Sequence, residues 1–327
     1  MIPTLEPTAS RRPLRLTVLG ALLALLSLSP LAGVGPFAPV DGEARLEGKP
    51  VAFLAMGDWG TGDQTQKTVA QGLVAWHGTM GAAAVLLLGD NFLPRGVESK
   101  RDPQWTSKFE DMYPAEKIDI PFCPVLGNHD YQGVFQSEVD YSRSTVNGKP
   151  TRWSMPDLTW SRVFTSADGS VTVRVIALNT VELIEAPEHD VRVGRQMKWL
   201  DAELAKSAGA GEQWRVVVAH HPVYSSGKHG ADVRLERLLK ERFLGGKVDV
   251  YLAGHDHHLE LFQPKSGVAH VVAGAGGKPR SAASGGDSFL FSGVSGFAAL
   301  QFGAREVLVR FVEASGKALG AWKATKN

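Results

Sequence analysis

The chain has 327 residues, of which 43% are hydrophobic and 21% are charged. This balance is typical of a globular protein and excludes a disordered, collagen-like or coiled-coil chain. The 35 Lys and Arg residues balance the 34 Asp and Glu residues, so the net charge of +1 lacks the basic surplus that nucleic-acid binders usually carry. The one cysteine, Cys123, excludes an intrachain disulfide framework and a cysteine-rich zinc site.

The N-terminal segment has the pattern of a secretory signal. Three arginines, Arg11, Arg12 and Arg15, precede an apolar run at 16–28, and small residues follow it. The run is shorter than the ~20 residues that a membrane-spanning helix needs. We therefore predict a signal peptide at 1–35 and expect the mature protein to be exported, to the periplasm or outside the cell, without a stable membrane span. The alternative is that the run is retained as an N-terminal membrane anchor.

We interpret residues 36–49 as a linker and residues 50–327 as one catalytic domain. The first half of this domain alternates apolar runs with a helical pattern. Short runs that are apolar throughout predict strands buried on both faces, and they lie at 51–56, 83–88 and 122–126. Between the first two runs, residues 64–77 carry apolar side chains at helical spacing. This order of strand, helix and strand predicts a sheet with parallel members.

The second half of the domain continues with strands and two further helices. Helical spacing predicts helices around 193–204 and 231–243. The remaining apolar runs predict strands at 171–178, 216–219, 248–252, 268–273, 297–302 and 306–312. From about Leu259 onwards the pattern contains no long helix, and we expect the strands there to form an antiparallel second sheet.

Polar residues with metal-binding side chains follow five of the predicted strands. They are Asp58, Asp90, Asn128, His220, His255 and His257. Ligand sites of open α/β sheets form outside the carboxyl ends of the strands, so we expect these side chains at one edge. Imidazole together with carboxylate suits zinc, iron and manganese. Six ligands exceed the needs of one ion, so we expect two ions that share Asp90, an arrangement that serves phosphoryl transfer.

In this order the motifs resemble those of the calcineurin-like metallophosphoesterases, and among them the purple, tartrate-resistant type of acid phosphatase. The motifs are Gly-Asp-Trp-Gly at 57–60, Gly-Asp-Asn-Phe at 89–92, Gly-Asn-His-Asp at 127–130, His-His-Pro at 220–222 and Gly-His-Asp-His at 254–257. The resemblance runs from about Val51 to Phe262. It implies an α/β fold, a four-layer sandwich in which two mixed β-sheets pack face to face and are flanked by helices.

The resemblance also implies which metal each residue holds. The residues implied for the first metal are Asp58, Asp90 and His257. Those implied for the second are Asn128, His220 and His255, with Asp90 bridging the two ions. Purple acid phosphatases carry a tyrosine that binds Fe(III) three residues after the bridging aspartate, and Leu93 stands in that position here. We therefore expect two divalent ions, Mn, Zn or Fe, and no Fe(III)–tyrosinate.

Three further residues are candidates for catalysis. His129 and His229 resemble the histidines of this family that contact the phosphate and the leaving group, and we expect Asp130 to orient His129. The expected reaction is hydrolysis of a phosphate monoester, in which a metal-bound hydroxide attacks phosphorus in line and one of these histidines protonates the leaving alkoxide. We expect a small phosphorylated substrate and no nucleic-acid partner.

Other functions remain open from the sequence. A phosphodiesterase or nucleotidase of the same superfamily would use the same core, because the residues at the rim of the pocket decide between these substrates. A degenerate, non-catalytic metal-binding module is the alternative from another class. The missing tyrosine favours such a module, whereas the retained His129 argues against it. The natural substrate, the metal identity, the signal cleavage position and the oligomeric state also remain open.

Overall fold

The computed structural model describes residues 1, 33–206, 212–265, 267–283 and 288–327. The predicted signal peptide therefore lies, apart from Met1 and residues 33–35, outside the described residues. The strands of the described part are β1 (Ala38–Val40), β2 (Val51–Met56), β3 (Ala84–Leu88), β4 (Phe122–Val125), β5 (Thr145–Val146), β6 (Lys149–Pro150), β7 (Trp160–Thr165), β8 (Thr172–Ala177), β9 (Glu212–Val218), β10 (Val250–Ala253), β11 (Leu259–Lys265), β12 (Val268–Ala273), β13 (Ser288–Phe291), β14 (Gly296–Phe302), β15 (Glu306–Glu313) and β16 (Ala318–Thr325).

The helices of the same residues are α1 (Gln64–Met80), α2 (Gln136–Tyr141), α3 (Thr180–Glu185), α4 (Val191–Ala205) and α5 (Val233–Phe243). A short π-helical segment at Trp105–Glu110 and a 3₁₀ turn at Asp130–Gln132 lie in the loops. None of the helices in the described ranges is long and apolar enough to cross a membrane.

Most of the described strands form two mixed sheets of seven strands each. Sheet 1 has the order β1–β16–β15–β14–β2–β3–β4, in which β2, β3 and β4 run parallel and the other neighbours run antiparallel. Sheet 2 has the order β13–β11–β12–β10–β9–β8–β7, in which β12, β10, β9 and β8 run parallel. Strands β5 and β6 form a separate hairpin. The expectation of two mixed sheets is confirmed.

The two sheets pack face to face, and helices cover them. Phe53 of β2 packs edge-to-face against Phe164 of β7, with ring centroids 5.0 Å apart. Trp214 of β9 packs against Phe302 of β14 at 5.4 Å in the same interface. A second apolar cluster joins α3, α4 and α5 to sheet 2, and α1 contacts β2 and β14 of sheet 1. These contacts confirm the four-layer sandwich.

Strand β9 shows why the strands are apolar at consecutive positions. Val216 and Val218 belong to the core between the sheets, whereas Val217 belongs to the cluster beneath the helices. Side chains alternate between the two faces of a strand. A strand that is covered on both faces therefore exposes no side chain to water, and apolar residues occupy consecutive positions.

The three longer helices begin at aspartate caps. The side chain of Asp63 accepts a hydrogen bond from the N–H of Gln66 at the start of α1, and Asp232 accepts one from the N–H of Leu235 in α5. Asp190 caps α4 in the same way. Each bond satisfies an N–H group that the first turn of a helix leaves unpaired. The predicted helices at 64–77, 193–204 and 231–243 are confirmed within a few residues at their ends.

The last third of the chain differs from the expectation. Strands β11, β12 and β13 extend sheet 2, whereas β14, β15 and β16 cross to sheet 1, where β14 pairs antiparallel with β2. The expectation of an antiparallel second sheet from about Leu259 is therefore wrong. Apolar patterning specifies which face of a strand is buried, but it does not specify which sheet edge the strand joins.

Residues before position 50 pack against the same domain. The segment 36–49, interpreted as a linker, contains β1, which pairs with β16 at the edge of sheet 1. Phe37 is buried, and its N–H donates to the side-chain oxygen of Gln263 at 2.9 Å. The folded part of the chain thus includes residues upstream of the expected domain boundary.

Candidate metal centre

The ligand candidates lie on the loops that follow parallel strands of both sheets. Asp58 follows β2, Asp90 follows β3 and Asn128 follows β4, which are neighbours in sheet 1. His220 follows β9, and the other two histidines follow its neighbour β10 in sheet 2. The ring of His220 reaches across to the carbonyl oxygen of Leu88 at the end of β3. The structure thus brings all six predicted ligands together at one end of the sandwich.

The Nε2 atom of His220 points at three other ligand candidates. Its Nδ1 lies 2.8 Å from the carbonyl oxygen of Leu88, and because a carbonyl only accepts, the neutral ring carries its proton on Nδ1 and a lone pair on Nε2. That lone pair faces Oδ1 of Asn128 at 3.1 Å, Nδ1 of His255 at 3.1 Å and Oδ1 of Asp90 at 3.5 Å. Acceptor atoms gathered in this way fit a cation.

A second group of acceptors surrounds Asp58. Its Oδ1 is buried without a hydrogen-bond partner and lies 3.3 Å from Nε2 of His257, while its Oδ2 accepts the backbone N–H of His255 at 2.7 Å. The Nδ1 of His257 faces the carbonyl oxygen of Lys278, so its Nε2 is again the lone-pair atom. Burial raises the pKa of Asp58 well above its usual value, and the charge of Asp90 adds to the rise. A metal ion would compensate both carboxylates.

The backbone is strained at three of the ligands. In the described part of the chain, the non-glycine residues with positive φ are Asp58, Asp90, His255 and Asn147. The three ligands have φ of 57°, 50° and 66°, in the left-handed region that side chains disfavour. Such strain costs about 1–3 kcal/mol per residue and persists only where the surrounding structure enforces it. Its concentration at the ligands indicates a functional site.

Glycines beside the ligands allow the loops to approach them closely. A Cβ atom on Gly127 would lie 2.2 Å from Oδ1 of Asp90, and one on Gly254 would lie 2.8 Å from Oδ2 of Asp58. Neither position accepts a side chain unless a ligand moves. Gly127 and Gly254 thus serve close approach, whereas Gly89 before Asp90 is itself left-handed, with a φ of 83°.

His129 lies at the exposed side of the same centre. Its backbone N–H donates to Oδ1 of Asp90 at 2.9 Å, and its Nδ1 lies 2.6 Å from the carbonyl oxygen of Pro94. Its Nε2 is 3.9 Å from Oδ2 of Asp90, and 36% of its side chain is exposed. The ring is therefore fixed at one nitrogen and presents the other to the site and to solvent.

Asp130 does not hold the ring of His129, contrary to the expectation. Its carboxylate is buried and accepts the backbone N–H groups of Asn91, Phe92 and Gly127 at 2.8–3.2 Å. It therefore fixes the loop after β3 against the loop after β4. The sequence could not reveal that the carbonyl of Pro94 orients His129, because a backbone group leaves no signal in the sequence.

His229 lies on a loop that Asp256 holds in place. The backbone N–H of His229 donates to Oδ1 of Asp256 at 3.1 Å, and the hydroxyl of Ser225 donates to Oδ2 at 2.5 Å. The ring of His229 packs 4.3 Å from the ring of His255, which places it beside the second group of ligands. The sequence analysis does not identify Asp256, although it lies between the ligand candidates His255 and His257 in the Gly-His-Asp-His motif.

His221 and His258, which follow ligand candidates directly in the sequence, make hydrogen bonds to other residues. His221 is buried, its Nδ1 lies 3.0 Å from the hydroxyl oxygen of Thr180, and burial lowers its pKa well below the usual value. His258 is buried as well and bonds Oε2 of Glu260 at 2.9 Å. Their hydrogen bonds account for both rings, although atoms of His221 also lie within 4.8 Å of ligand atoms of its neighbours.

Leu93 is buried and offers no donor atom to a metal. Its backbone N–H donates to the carbonyl oxygen of Gly60 at 2.8 Å, which joins the loops after β3 and β2. The nearest alternative in the sequence, Tyr131, has its hydroxyl 2.6 Å from the side-chain amide of Asn179 and stacks on Phe135. Its oxygen is thus already engaged.

Comparison with known proteins agrees with this geometry. A family model described as calcineurin-like phosphoesterase matches residues 51–259. Human tartrate-resistant acid phosphatase type 5 is 30% identical over 295 residues, which cover 82% of this chain and 88% of the human protein. Purple acid phosphatase 3 of Arabidopsis thaliana is 27% identical, over 84% of this chain and 78% of its own length.

Solved structures show the same fold. GAP50, the anchor in the inner membrane complex of Plasmodium, has a TM-score of 0.76 at 23% identity and covers 86% of this chain and 90% of its own. A dimetal phosphatase from Danio rerio has a TM-score of 0.57 at 13% identity, over 86% of this chain and 100% of its own.

The family model and the acid phosphatase relatives together show that the chain belongs to the calcineurin-like phosphoesterase family. It is a metal-dependent phosphoric ester hydrolase related to the tartrate-resistant and purple acid phosphatases.

Proposed function

We propose that the protein is an exported phosphatase that hydrolyses phosphate monoesters at a centre of two metal ions. The observation that carries the proposal is the convergence of two groups of buried acceptors, with a carboxylate oxygen of Asp90 within 4.8 Å of ligand atoms of Asp58 and His220. One group surrounds the orphaned Oδ1 of Asp58, and the other surrounds Nε2 of His220. The relatives named as acid phosphatases support the choice of substrate.

We assign each residue to one of the two ions according to which donor atoms lie near one another. Asp58 and His257 would hold the first ion, and Asn128, His220 and His255 would hold the second, with Asp90 shared. When bound, divalent ions such as Mn, Zn or Fe supply Lewis acidity that activates a water molecule and compensates the charge of the phosphate.

His129 and His229 have different roles in this proposal. His129 presents Nε2 beside Asp90, and as an imidazolium, with a proton on each ring nitrogen, it would donate a hydrogen bond from Nε2 to an oxygen of the phosphate. His229 lies beside the second group of ligands and would give a proton to the departing alkoxide, a role typically worth 10²–10⁴-fold in rate. Asp256 fixes the loop from which His229 acts.

A metal-dependence assay tests the function directly. The purified protein is expected to hydrolyse p-nitrophenyl phosphate, to lose the activity with a chelator and to regain it when a divalent metal is returned. A diester substrate, bis(p-nitrophenyl) phosphate, is expected to react much more slowly. Preference for the diester would overturn the monoester proposal, and a metal-loaded protein without activity on either would indicate the non-catalytic module.

Asp90 is predicted to be essential for metal binding as well as for turnover. Because its carboxylate lies within 4.8 Å of ligand atoms of both Asp58 and His220, Asp90→Ala is expected to lose both ions and to lower activity by far more than the ~10–100-fold typical of changes outside the ligand shell. Metal analysis and the same phosphatase assay measure the two losses. The matched control is Asp201→Ala, which removes an exposed aspartate on α4. Two retained metals with substantial activity in Asp90→Ala would refute the assignment.

Leu93 is predicted to keep the wild-type protein pale. The purple colour of this family comes from a tyrosinate bound to Fe(III), and leucine has no oxygen to supply. With Fe(III) loaded, Leu93→Tyr is expected to gain a visible charge-transfer band, whereas the wild type and the ring-matched control Leu93→Phe gain none. Absorption spectra measure the difference. A purple wild type that loses its colour in Tyr131→Phe would mean that the first metal's ligands are misassigned.

Export is part of the same proposal, and the contacts of residues 33 and 34 support cleavage upstream of Gly33. The N–H of Val34 donates to the carbonyl oxygen of Gly267, and the carbonyl oxygen of Gly33 accepts the N–H of Asn327. Cleavage upstream of Gly33 would preserve both bonds, so the exported protein is expected to begin at or before that residue. Fractionation of the native host followed by N-terminal sequencing tests this. Full-length protein in the cytosol would contradict export, and full-length protein in membranes would indicate the anchor.

A further inference from the structure

A buried glutamate, Glu138 of α2, lies behind the loops that carry the candidate ligands. Its side chain is fully buried. Its Oε2 accepts a hydrogen bond from the side-chain amide of Asn91 at 3.0 Å, and its Oε1 has no hydrogen-bond partner among the described residues. Burying an ionised carboxylate without a compensating charge costs several kcal/mol, so the contacts of this residue require an explanation.

The side chain of Asn91 has a fixed orientation. Nε1 of Trp59 can only donate, and it lies 3.1 Å from Oδ1 of Asn91, so the amide nitrogen faces the other way. This Nδ2 faces three oxygens: the carbonyl oxygen of Val125 at 2.8 Å, Oε2 of Glu138 at 3.0 Å and Oδ2 of Asp130 at 3.2 Å. An NH₂ group has two hydrogens, so it cannot satisfy all three oxygens.

A proton on one of the two carboxyl groups removes this deficit. The carboxyl groups of Glu138 and Asp130 lie within hydrogen-bonding reach of each other. Two ionised carboxylates at that distance repel, whereas a protonated carboxyl group donates a hydrogen bond to an ionised one. The hydrogen bonds of the cluster are therefore complete when the pair carries one proton.

The surrounding hydrogen bonds assign this proton to Glu138. Both oxygens of Asp130 accept backbone N–H groups, from Asn91, Phe92 and Gly127, and bonds of this kind favour an ionised carboxylate. Within the described ranges, the carboxyl group of Glu138 accepts no backbone N–H. Burial also raises the pKa of Glu138 well above its usual value, and the charge of Asp130 adds to the rise.

The proton matters because Asp130 joins two ligand loops. Asn91 directly follows Asp90, and Gly127 directly precedes Asn128. A neutral Glu138 would leave the carboxylate of Asp130 in place between these loops. An ionised Glu138 would repel that carboxylate, and an apolar side chain would remove a donor from it. The spacing of two candidate ligands thus depends on the acid behind them.

We propose that Glu138 is a positioning residue, a buried carboxylic acid that stays protonated at neutral pH, donates a hydrogen bond to Asp130 and so sets the spacing of Asp90 and Asn128. A carboxyl group that its surroundings keep neutral can serve as a hydrogen-bond donor. Glu138 does not touch the substrate. The inference rests on the metal centre proposed above.

The first experiment detects the proton on the metal-loaded protein. At pH 7 exposed carboxyl groups are ionised, so a carboxylic acid that persists is a buried one. A protonated carboxyl group has a C=O stretching band that a carboxylate lacks. The infrared difference spectrum of wild type minus Glu138→Gln is expected to contain this band. A difference spectrum without the band would overturn the proposal.

The second experiment measures the positioning role. Glutamine can donate to Asp130 and accept from Asn91, so Glu138→Gln is expected to bind Zn²⁺ and to hydrolyse p-nitrophenyl phosphate as the wild type does. Methionine has a similar size and cannot donate, so Glu138→Met is expected to weaken Zn²⁺ binding by about 10–100-fold, the range for residues that support metal ligands. Competition with a chelator measures the affinity, and the melting temperature establishes that each variant is folded.

Glu203 provides the matched control, because it is a buried glutamate with cationic partners. It pairs with Nζ of Lys206, and its Oε2 lies 3.9 Å from Nη1 of Arg174. These charges favour the ionised form. Arg174 also pairs with Glu212, the first residue of β9, whereas His220 follows the last. Glu203→Gln is expected to remove no carboxylic acid band and to leave Zn²⁺ binding unchanged.

The outcomes separate this inference from the proposed function. Loss of the band in Glu138→Gln, with weakened Zn²⁺ binding in Glu138→Met alone, supports the inference. Equal weakening in both variants, or unchanged binding in Glu138→Met, would overturn the positioning role. The infrared test and Glu138→Gln do not depend on whether Glu138→Met folds. A wild type that binds no Zn²⁺ or hydrolyses no p-nitrophenyl phosphate would instead refute the proposed function.

Discussion

The structure depends on a buried gathering of hydrogen-bond acceptors that cannot satisfy one another. Oδ1 of Asp58 has no partner, and Nε2 of His220 faces the oxygens of Asn128 and Asp90. Burying unpaired polar and charged groups costs several kcal/mol unless a compensating charge is near. A metal ion supplies that charge, and the rest of the site is arranged to hold the acceptors in place. The same lone pairs that are unfavourable together are the ones that a cation needs.

The strained backbone at the site is held in place by hydrogen bonds from the residues around it. Asp58, Asp90 and His255 adopt left-handed conformations at the points where their strands end. The surrounding loops enforce them: the carboxylate of Asp130 collects backbone N–H groups, and carbonyl oxygens such as that of Leu88 fix the histidine tautomers. The rigid sheets below supply the stability that offsets the local strain.

The sequence predicts features that depend on side-chain type, and it misses contacts that backbone groups make. The apolar runs and helical faces predict the elements, because their periodicity is local, and the polar residues at strand ends predict the six candidate ligands that the structure brings together. The sequence does not reveal that β14 joins β2, because strand pairing is decided by contacts distant in the chain. It also assigns Asp130 to the ring of His129, whereas the carbonyl of Pro94 has that place. A carbonyl is present at every position, so its use leaves no pattern.

The division of the six candidate ligands between the sheets would couple a metal centre to the fold. Asp58, Asp90 and Asn128 extend from sheet 1, whereas the three histidines extend from sheet 2, so bound ions would cross-link the two layers at one end of the sandwich. Ions that bind the folded chain and not the unfolded chain stabilise the fold by the free energy of their binding. The strained loops gain most from this, since they lie between the layers. In this proposal the chemistry of the site and the stability of its scaffold depend on the same six side chains.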